Sequence, residues 1–134
     1  MTQRGELLAR AVQRLAGVSE SARLDAELLL AGVLGCGRSA LTARADQAVE
    51  PAAATAFEAL LQRRLDGEPI AYLLGSKEFW SLPLLVNPAV LVPRPDTEIL
   101  VQAALERMPR EAALHVLDLG TGSGAIALAL ASER

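Results

Sequence analysis

Residues 114 to 125 read Leu-His-Val-Leu-Asp-Leu-Gly-Thr-Gly-Ser-Gly-Ala, and no other stretch restricts the fold as much. The apolar run Val116, Leu117 and Leu119 is interrupted only by Asp118. It passes into glycines at 120, 122 and 124, then into Ala125-Ile126-Ala127-Leu128. The pattern predicts a buried strand over 115–119, a tight glycine turn and the start of a helix. Glycines without a Cβ allow a ligand to lie against the backbone, close to the first amides of that helix.

Two cofactor classes use such a turn. Read as G-x-G-x-x-A (Gly120, Gly122, Ala125), it resembles the dinucleotide fingerprint. Read as D-x-G-x-G-x-G from Asp118 to Gly124, it resembles motif I of class I methyltransferases, which bind S-adenosylmethionine. The carboxylate separates the two. Asp118, two residues before the first glycine, is expected at the strand's C-terminal end, where it tolerates a cationic ammonium group and repels a pyrophosphate. No G-x-x-x-x-G-K-[ST] is present, so this is not a P-loop. The methyltransferase reading is the stronger one.

The 134 residues allow one ordinary domain or two small ones, and 51% hydrophobic residues exclude a disordered chain. No apolar run approaches the ~18 residues of a membrane span, and Met1-Thr2-Gln3-Arg4 leads into an amphipathic helix, unlike a signal peptide. The single Cys36 allows no internal disulfide and no cysteine metal cluster. It suits a reducing cytoplasm, and it reads as an inert thiol after a helix. The net charge of −3 leaves no basic surplus: residues 1–67 hold eight basic and eight acidic side chains, residues 68–134 five and eight. A general nucleic-acid binder is not expected.

The first half is read as a helical bundle. Leu7, Leu8, Ala11, Val12 and Leu15 repeat at helical spacing until Gly17. Ser19 or Ser21 is expected to cap a second helix with Leu24, Leu28, Ala31 and Val33 or Leu34, closed by Gly35-Cys36-Gly37. Ser39 is expected to cap a short third helix to about Ala45. Pro51 fits the first turn of a fourth, with Phe57, Leu60, Leu61 and Leu65 on one face and Gly67 as its stop. Arg10, Arg14, Arg63 and Arg64 read as a solvated face.

Composition changes at Glu68-Pro69. Three of the four aromatic residues, Tyr72, Phe79 and Trp80, fall within positions 72–80. Lys77–Trp80 and Leu84–Asn87 predict a hairpin around Ser81-Leu82-Pro83. In Val92-Pro93-Arg94-Pro95-Asp96-Thr97-Glu98 the prolines hold Arg94 extended. Asp96 is expected to cap a helix bearing Ile99, Leu100, Ala103 and Ala104, stopped by Pro109. Arg94 and Glu98 have no comparable structural explanation, and lone His115 reads as a surface residue.

Three blocks now carry a sharper resemblance: Glu68-Pro69-Ile70-Ala71-Tyr72-Leu73-Leu74-Gly75 with Glu78-Phe79; Val92 to Glu98; and Asp118 to Ala127. Together, and in this order, they resemble the HemK/PrmC family, the protein-(glutamine-N5) methyltransferases of peptide chain release factors. The resemblance covers the whole chain. It implies an α/β fold: an N-terminal helical bundle for substrate recognition (1–67), a linker and β-hairpin (68–93), and the beginning of a class I, Rossmann-like S-adenosylmethionine-dependent domain (94–134) that stops after its first strand–turn–helix. It implies methyl transfer to the amide nitrogen of the glutamine in a class 1 release factor's Gly-Gly-Gln loop, by a cytoplasmic, monomeric enzyme. By position, Gly120, Thr121, Gly122, Ser123 and Gly124 would contact the cofactor, with Asp118 beside its amino-acid end. Phe79 and Arg94, Pro95, Asp96, Thr97 and Glu98 would border the pocket where methyl and glutamine meet. No metal is implied. The family's Asn-Pro-Pro-Tyr motif, which aligns the glutamine amide, is absent from these residues, as is the ribose-binding acid after the second strand, so the 134 residues alone are expected to be inactive. The alternatives are an N6-adenine nucleic-acid methyltransferase and a non-catalytic release-factor-docking fragment.

Overall fold

Where apolar residues recur at helical spacing, the computed structural model, which describes residues 1–134, forms helices: α1 (Arg4–Leu15), α2 (Ala22–Leu34), α3 (Arg38–Ala43) and α4 (Pro51–Leu65). Their ends follow the chemistry of the flanking residues. Gly35 closes α2 in the left-handed region (φ 60°), Pro51 opens α4 at its first position, and Gly67 (φ 98°) follows the end of α4. Two expected caps are corrected. The residue preceding α3 is Gly37 and not Ser39, and Ser21 at the start of α2 makes no capping bond to the backbone. The hydroxyls of Ser19 and Ser21 instead donate to the carboxylate of Asp25, at 2.7 and 3.0 Å.

Contacts divide the chain into two units, Met1–Leu74 and Gly75–Arg134. The first contains α1–α4 and a further short helix, α5 (Ile70–Leu74), inside the stretch read from sequence as linker. Ile70, Leu73 and Leu74 pack on the core built from Ala11, Leu15, Ala26, Leu29, Leu30, Leu41, Phe57 and Leu61, and Ala71 is buried. Gly32 makes this docking close: a Cβ there would stand 2.8 Å from the Leu74 Cδ2. Three charged side chains are drawn inward as well. Asp25 receives the Arg64 Nε at 2.9 Å, with side chains only 6% and 18% exposed, so Arg64 is no part of a solvated face. Glu27, also buried, accepts from Arg23 Nε (2.9 Å) and from Arg38 Nη2 (2.7 Å). The Arg38 hydrogen bond holds the Glu27 carboxyl below the usual glutamate range, against the opposing effect of burial. Arg14 pairs with Glu58 and Arg10 with Glu6 at the surface.

The second unit begins with an antiparallel hairpin, β1 (Ser76–Phe79) and β2 (Leu82–Leu85), in the register Ser76↔Leu85, Lys77↔Leu84, Glu78↔Pro83, Phe79↔Leu82. Its turn is Trp80-Ser81 and not Ser81-Leu82-Pro83. In a hairpin closed by two residues, Phe79 and Leu82 form the hydrogen-bonded pair, so Pro83 falls at a non-hydrogen-bonded position where its missing N–H costs no ladder bond. A 3₁₀ turn (Pro95–Thr97) leads into α6 (Glu98–Arg107), and α7 (Ala125–Glu133) follows the glycine turn. Asp96 therefore lies within the first turn and caps nothing; Arg94 precedes the 3₁₀ turn in extended conformation (φ −97°, ψ 144°), as its flanking prolines require. Pro109 stops α6 as expected, with Met108 extended before it. Phe79, Leu84, Val101, Ala125, Ala129 and Leu130 form this unit's core.

The strand expected over 115–119 is not formed. Residues 112–118 carry no regular secondary structure, and Val116, Leu117 and Leu119 are 55%, 80% and 83% exposed. The sole sheet is the two-stranded hairpin, so no neighbouring strand offers this backbone hydrogen-bond partners. The architecture is helix-rich with one small antiparallel sheet; of the expected strand–turn–helix, the turn and the helix are present.

Candidate cofactor-binding turn

Gly120, Gly122 and Gly124 all lie in the left-handed region, at φ 69°, 57° and 81°. An L-residue held there costs about 1–2 kcal/mol, so the alternation of glycine with Thr121 and Ser123 is a backbone requirement at three places. Space is not the constraint: a Cβ on Gly120 would meet nothing within 4 Å, and one on Gly122 only the Gly120 carbonyl oxygen at 4.0 Å. The room those Cβ atoms would take is open for a ligand to approach the main chain.

Two hydrogen bonds shape the turn. The Gly124 amide donates to the Thr121 carbonyl at 2.9 Å, and the Thr121 hydroxyl donates to Asp118 Oδ2 at 3.0 Å. Asp118 is half-buried, and the Thr121 bond orients its carboxylate toward the turn. Gly124 is the residue before α7 and has no side chain to cap it, so the first amides of that helix are free of a side-chain acceptor. Ala125 and Ala129 anchor α7 in the core. The result is a rigid helix start carrying an open glycine turn, with one carboxylate beside it. That set suits a ligand that combines a cationic amine for Asp118 with an acceptor group for the helix amides. A hollow of about 430 Å³, lined by Met108, Leu114, Val116, Asp118, Leu130 and Arg134 among others, lies between the segment before the turn and α7. No turn glycine lines it.

The other expected residues form a separate set of bonds. Arg94 and Asp96 are 79% and 81% exposed and face each other at 3.5 Å. Pro95 is exposed, Thr97 half-buried. Glu98 has a structural partner that sequence reading did not find: its Oε1 accepts the backbone amide of Trp80 at 2.8 Å. Phe79, expected beside a pocket, has its side chain in the core at 1% exposure. Trp80 and Glu133, joined from indole Nε1 to Oε1 at 2.9 Å, carried no sequence signal because 53 residues separate them.

Comparison with known proteins bears on the whole chain. Residues 6–75 match the family model described as the PrmC N-terminal domain. Release factor glutamine methyltransferase of Escherichia coli (strain K12) is 59% identical over 116 residues, 87% of this chain and 42% of that protein. The proteins of the same name from Coxiella burnetii (strain RSA 493 / Nine Mile phase I) and Shewanella oneidensis are each 52% identical, over 91% and 96% of this chain and 44% and 45% of their own length. The chain thus spans less than half of these relatives. The Shewanella match covers 96% of the chain and so takes in both Pro93–Glu98 and the glycine turn wherever it begins. No helix of the structure is long and apolar enough to cross a membrane. The chain belongs to the PrmC family, and residues 6–75 are that family's N-terminal domain.

Proposed function

We propose that this chain is the N-terminal portion of an S-adenosylmethionine-dependent methyltransferase that modifies the side-chain amide nitrogen of the Gly-Gly-Gln glutamine in class 1 release factors. The observation that carries this reading is the 52% identity to a release factor glutamine methyltransferase across 96% of the chain, glycine turn included. The open turn at Gly120–Gly124 and the oriented Asp118 fit the methionine end of the cofactor, which supplies a methyl group on a sulfonium centre. Asp118 would hold the ammonium group, and the backbone of Gly120, Thr121, Gly122, Ser123 and Gly124 would lie against the cofactor. Arg94 through Glu98 would border the glutamine, with Phe79 supporting them from the core. A release factor substrate implies a cytoplasmic enzyme.

An amide nitrogen is a weak nucleophile, because its lone pair is delocalised into the carbonyl. Rate then depends on holding it in line with the methyl group, an effect worth about 7–11 kcal/mol of barrier. The family resemblance assigns that alignment to an Asn-Pro-Pro-Tyr motif that these 134 residues do not contain. The 134-residue chain alone is therefore proposed to be inactive. The test incubates the full-length protein and the 134-residue chain with labelled S-adenosylmethionine, offering a release factor and a nucleic acid side by side. Label at the Gly-Gly-Gln glutamine with the full-length protein supports the reading. Label in nucleic acid instead, or none, refutes it.

A further inference from the structure

The hairpin turn of the second unit is closed by residues poorly suited to it. A two-residue turn with both residues at positive φ favours Asn-Gly, because bulky side chains are disfavoured in the left-handed region. Here the two residues are Trp80 (φ 51°) and Ser81 (φ 59°). Such a conformation persists only where its surroundings over-determine it. Three restraints converge on Trp80. Its amide donates to Glu98 Oε1 at 2.8 Å, its indole N–H donates to Glu133 Oε1 at 2.9 Å, and its ring packs on the core of Phe79, Leu84 and Val101. Glu98 is the first residue of α6 and the last of the Pro-Arg-Pro-Asp-Thr-Glu block, and Glu133 ends α7. One strained residue is thereby tied to the start of one helix and the end of another.

We infer that Glu98 is a positioning residue whose carboxylate clamps the strained Trp80–Ser81 turn, so that the hairpin and the Arg94–Glu98 segment are held as one piece. Glu98 exerts this role through the Trp80 amide, from the end of the segment proposed to border the glutamine. The charged acceptor is what makes the clamp strong: a hydrogen bond to an ionised carboxylate is roughly twice as strong as a neutral one. The hairpin tip keeps its conformation only while that acceptor is present. The consequence for activity rests on the methyltransferase reading; the consequence for the turn does not.

The test uses the full-length protein, with amide hydrogen exchange as one measurement and methyl transfer to a release factor as the other. Glu98→Ala is expected to speed exchange of the Trp80 amide and of the hairpin amides about tenfold or more, and to lower methyl transfer. Glu98→Gln, which keeps an oxygen acceptor but loses the charge, is expected to fall between the two, with hairpin exchange sped about three- to fivefold and methyl transfer lowered less than in Glu98→Ala. Adding Ser81→Gly to Glu98→Ala removes strain from the turn by another route and is expected to bring hairpin exchange and methyl transfer back together. Unchanged Trp80 exchange in Glu98→Ala overturns the clamp. Recovery of hairpin protection without recovery of activity overturns the positioning role, because Glu98 would then act on the reactants directly; recovery of neither overturns it too. If the unmodified protein transfers no methyl group, the functional reading fails alone, and the exchange measurements still decide the clamp.

Discussion

Arg64→Ala is expected to be among the most damaging single substitutions in the first unit. Asp25 sits in the first turn of α2 with 6% of its side chain exposed, and Arg64, in the last turn of α4, meets it at 2.9 Å across a separation of 39 residues. Removing one partner of a buried ion pair typically costs about 3–5 kcal/mol, because the other charge is left without its counter-charge. The present figure should be smaller. Arg64 is 18% exposed, so water can reach the vacated position, and the Ser19 and Ser21 hydroxyls still donate to Asp25. The positive end of α2 adds a further ~0.3–1 kcal/mol in favour of the carboxylate. The expected loss is therefore about 2–3 kcal/mol, which for a unit of this size lowers Tm by about 10–20 °C. Asp25→Asn should cost less, about 1–2 kcal/mol, because the arginine left behind can reach water.

Urea unfolding of the 134-residue chain measures this, with helicity following chiefly α1–α5 and in smaller part α6 and α7. Trp80, the only tryptophan, reports the second unit separately. A double-mutant cycle between Asp25→Asn and Arg64→Met should give a coupling of about 1–2 kcal/mol. The helical transition should move and the tryptophan transition should not. A coupling below about 0.5 kcal/mol would refute the argument, since it would make this an ordinary surface pair.

In the full-length protein, Gly122→Val should abolish S-adenosylmethionine binding by calorimetry while helicity is retained; near-native affinity would remove the glycine turn from the cofactor site. Glu27 contributes to acid stability with a definite sign. Its carboxyl is held low by Arg38 and Arg23, so the stabilisation is complete above the ordinary glutamate value of about 4.3 and disappears as pH falls through the lower folded-state value. Glu27→Gln should flatten the acid limb of urea midpoints measured from about pH 6 to 3, and an unchanged slope would show that the pair contributes nothing. Residues 1–74 should unfold cooperatively when expressed alone, and residues 1–67 should be less stable because Ile70, Leu73 and Leu74 no longer cover the core. Equal midpoints for the two fragments would mean that α5 packs without stabilising.

What could be read in the sequence was what neighbours along the chain decide. The apolar stripes of α1, α2 and α4, the glycine that closes α2, the proline that opens α4 and the proline-held Arg94 depend on residues within a turn or two of one another. All appear in the structure where their chemistry put them, except that the inner face of α2 is Ala26, Leu29, Leu30 and Ala31, while Leu24, read into its stripe, is exposed. The glycine turn was legible for the same reason, since three left-handed residues leave glycine as the natural occupant at each. What stayed hidden depended on partners far away. Nothing near Arg64 marks it as the counter-charge of Asp25, and nothing near Glu98 marks it as the acceptor for Trp80. Ser-Leu-Pro reads locally as a turn, yet pairing with Phe79 and Glu78 draws Leu82 and Pro83 into β2 and moves the turn to Trp80-Ser81.

The segment before the glycine turn is the extreme case. Val116, Leu117 and Leu119 make it the clearest strand signal in the chain, and it lies exposed and without regular secondary structure. Helical hydrogen bonds close within four residues, so a helix needs only its own sequence plus a face to bury. A strand's hydrogen bonds all go to another strand, so its sequence states a preference that only a neighbour can satisfy. The signal is also that of a particular neighbourhood. A run apolar on both sides of the pleat belongs to a strand covered on both faces, the setting of parallel sheets, while β1 and β2 alternate buried and exposed positions as a one-sided antiparallel hairpin should. The same argument explains why α7 and the glycine turn form without the strand. Their bonds are local, and Ala125, Ala129 and Leu130 have a core to enter, whereas the backbone of 115–119 has no strand beside it to bond.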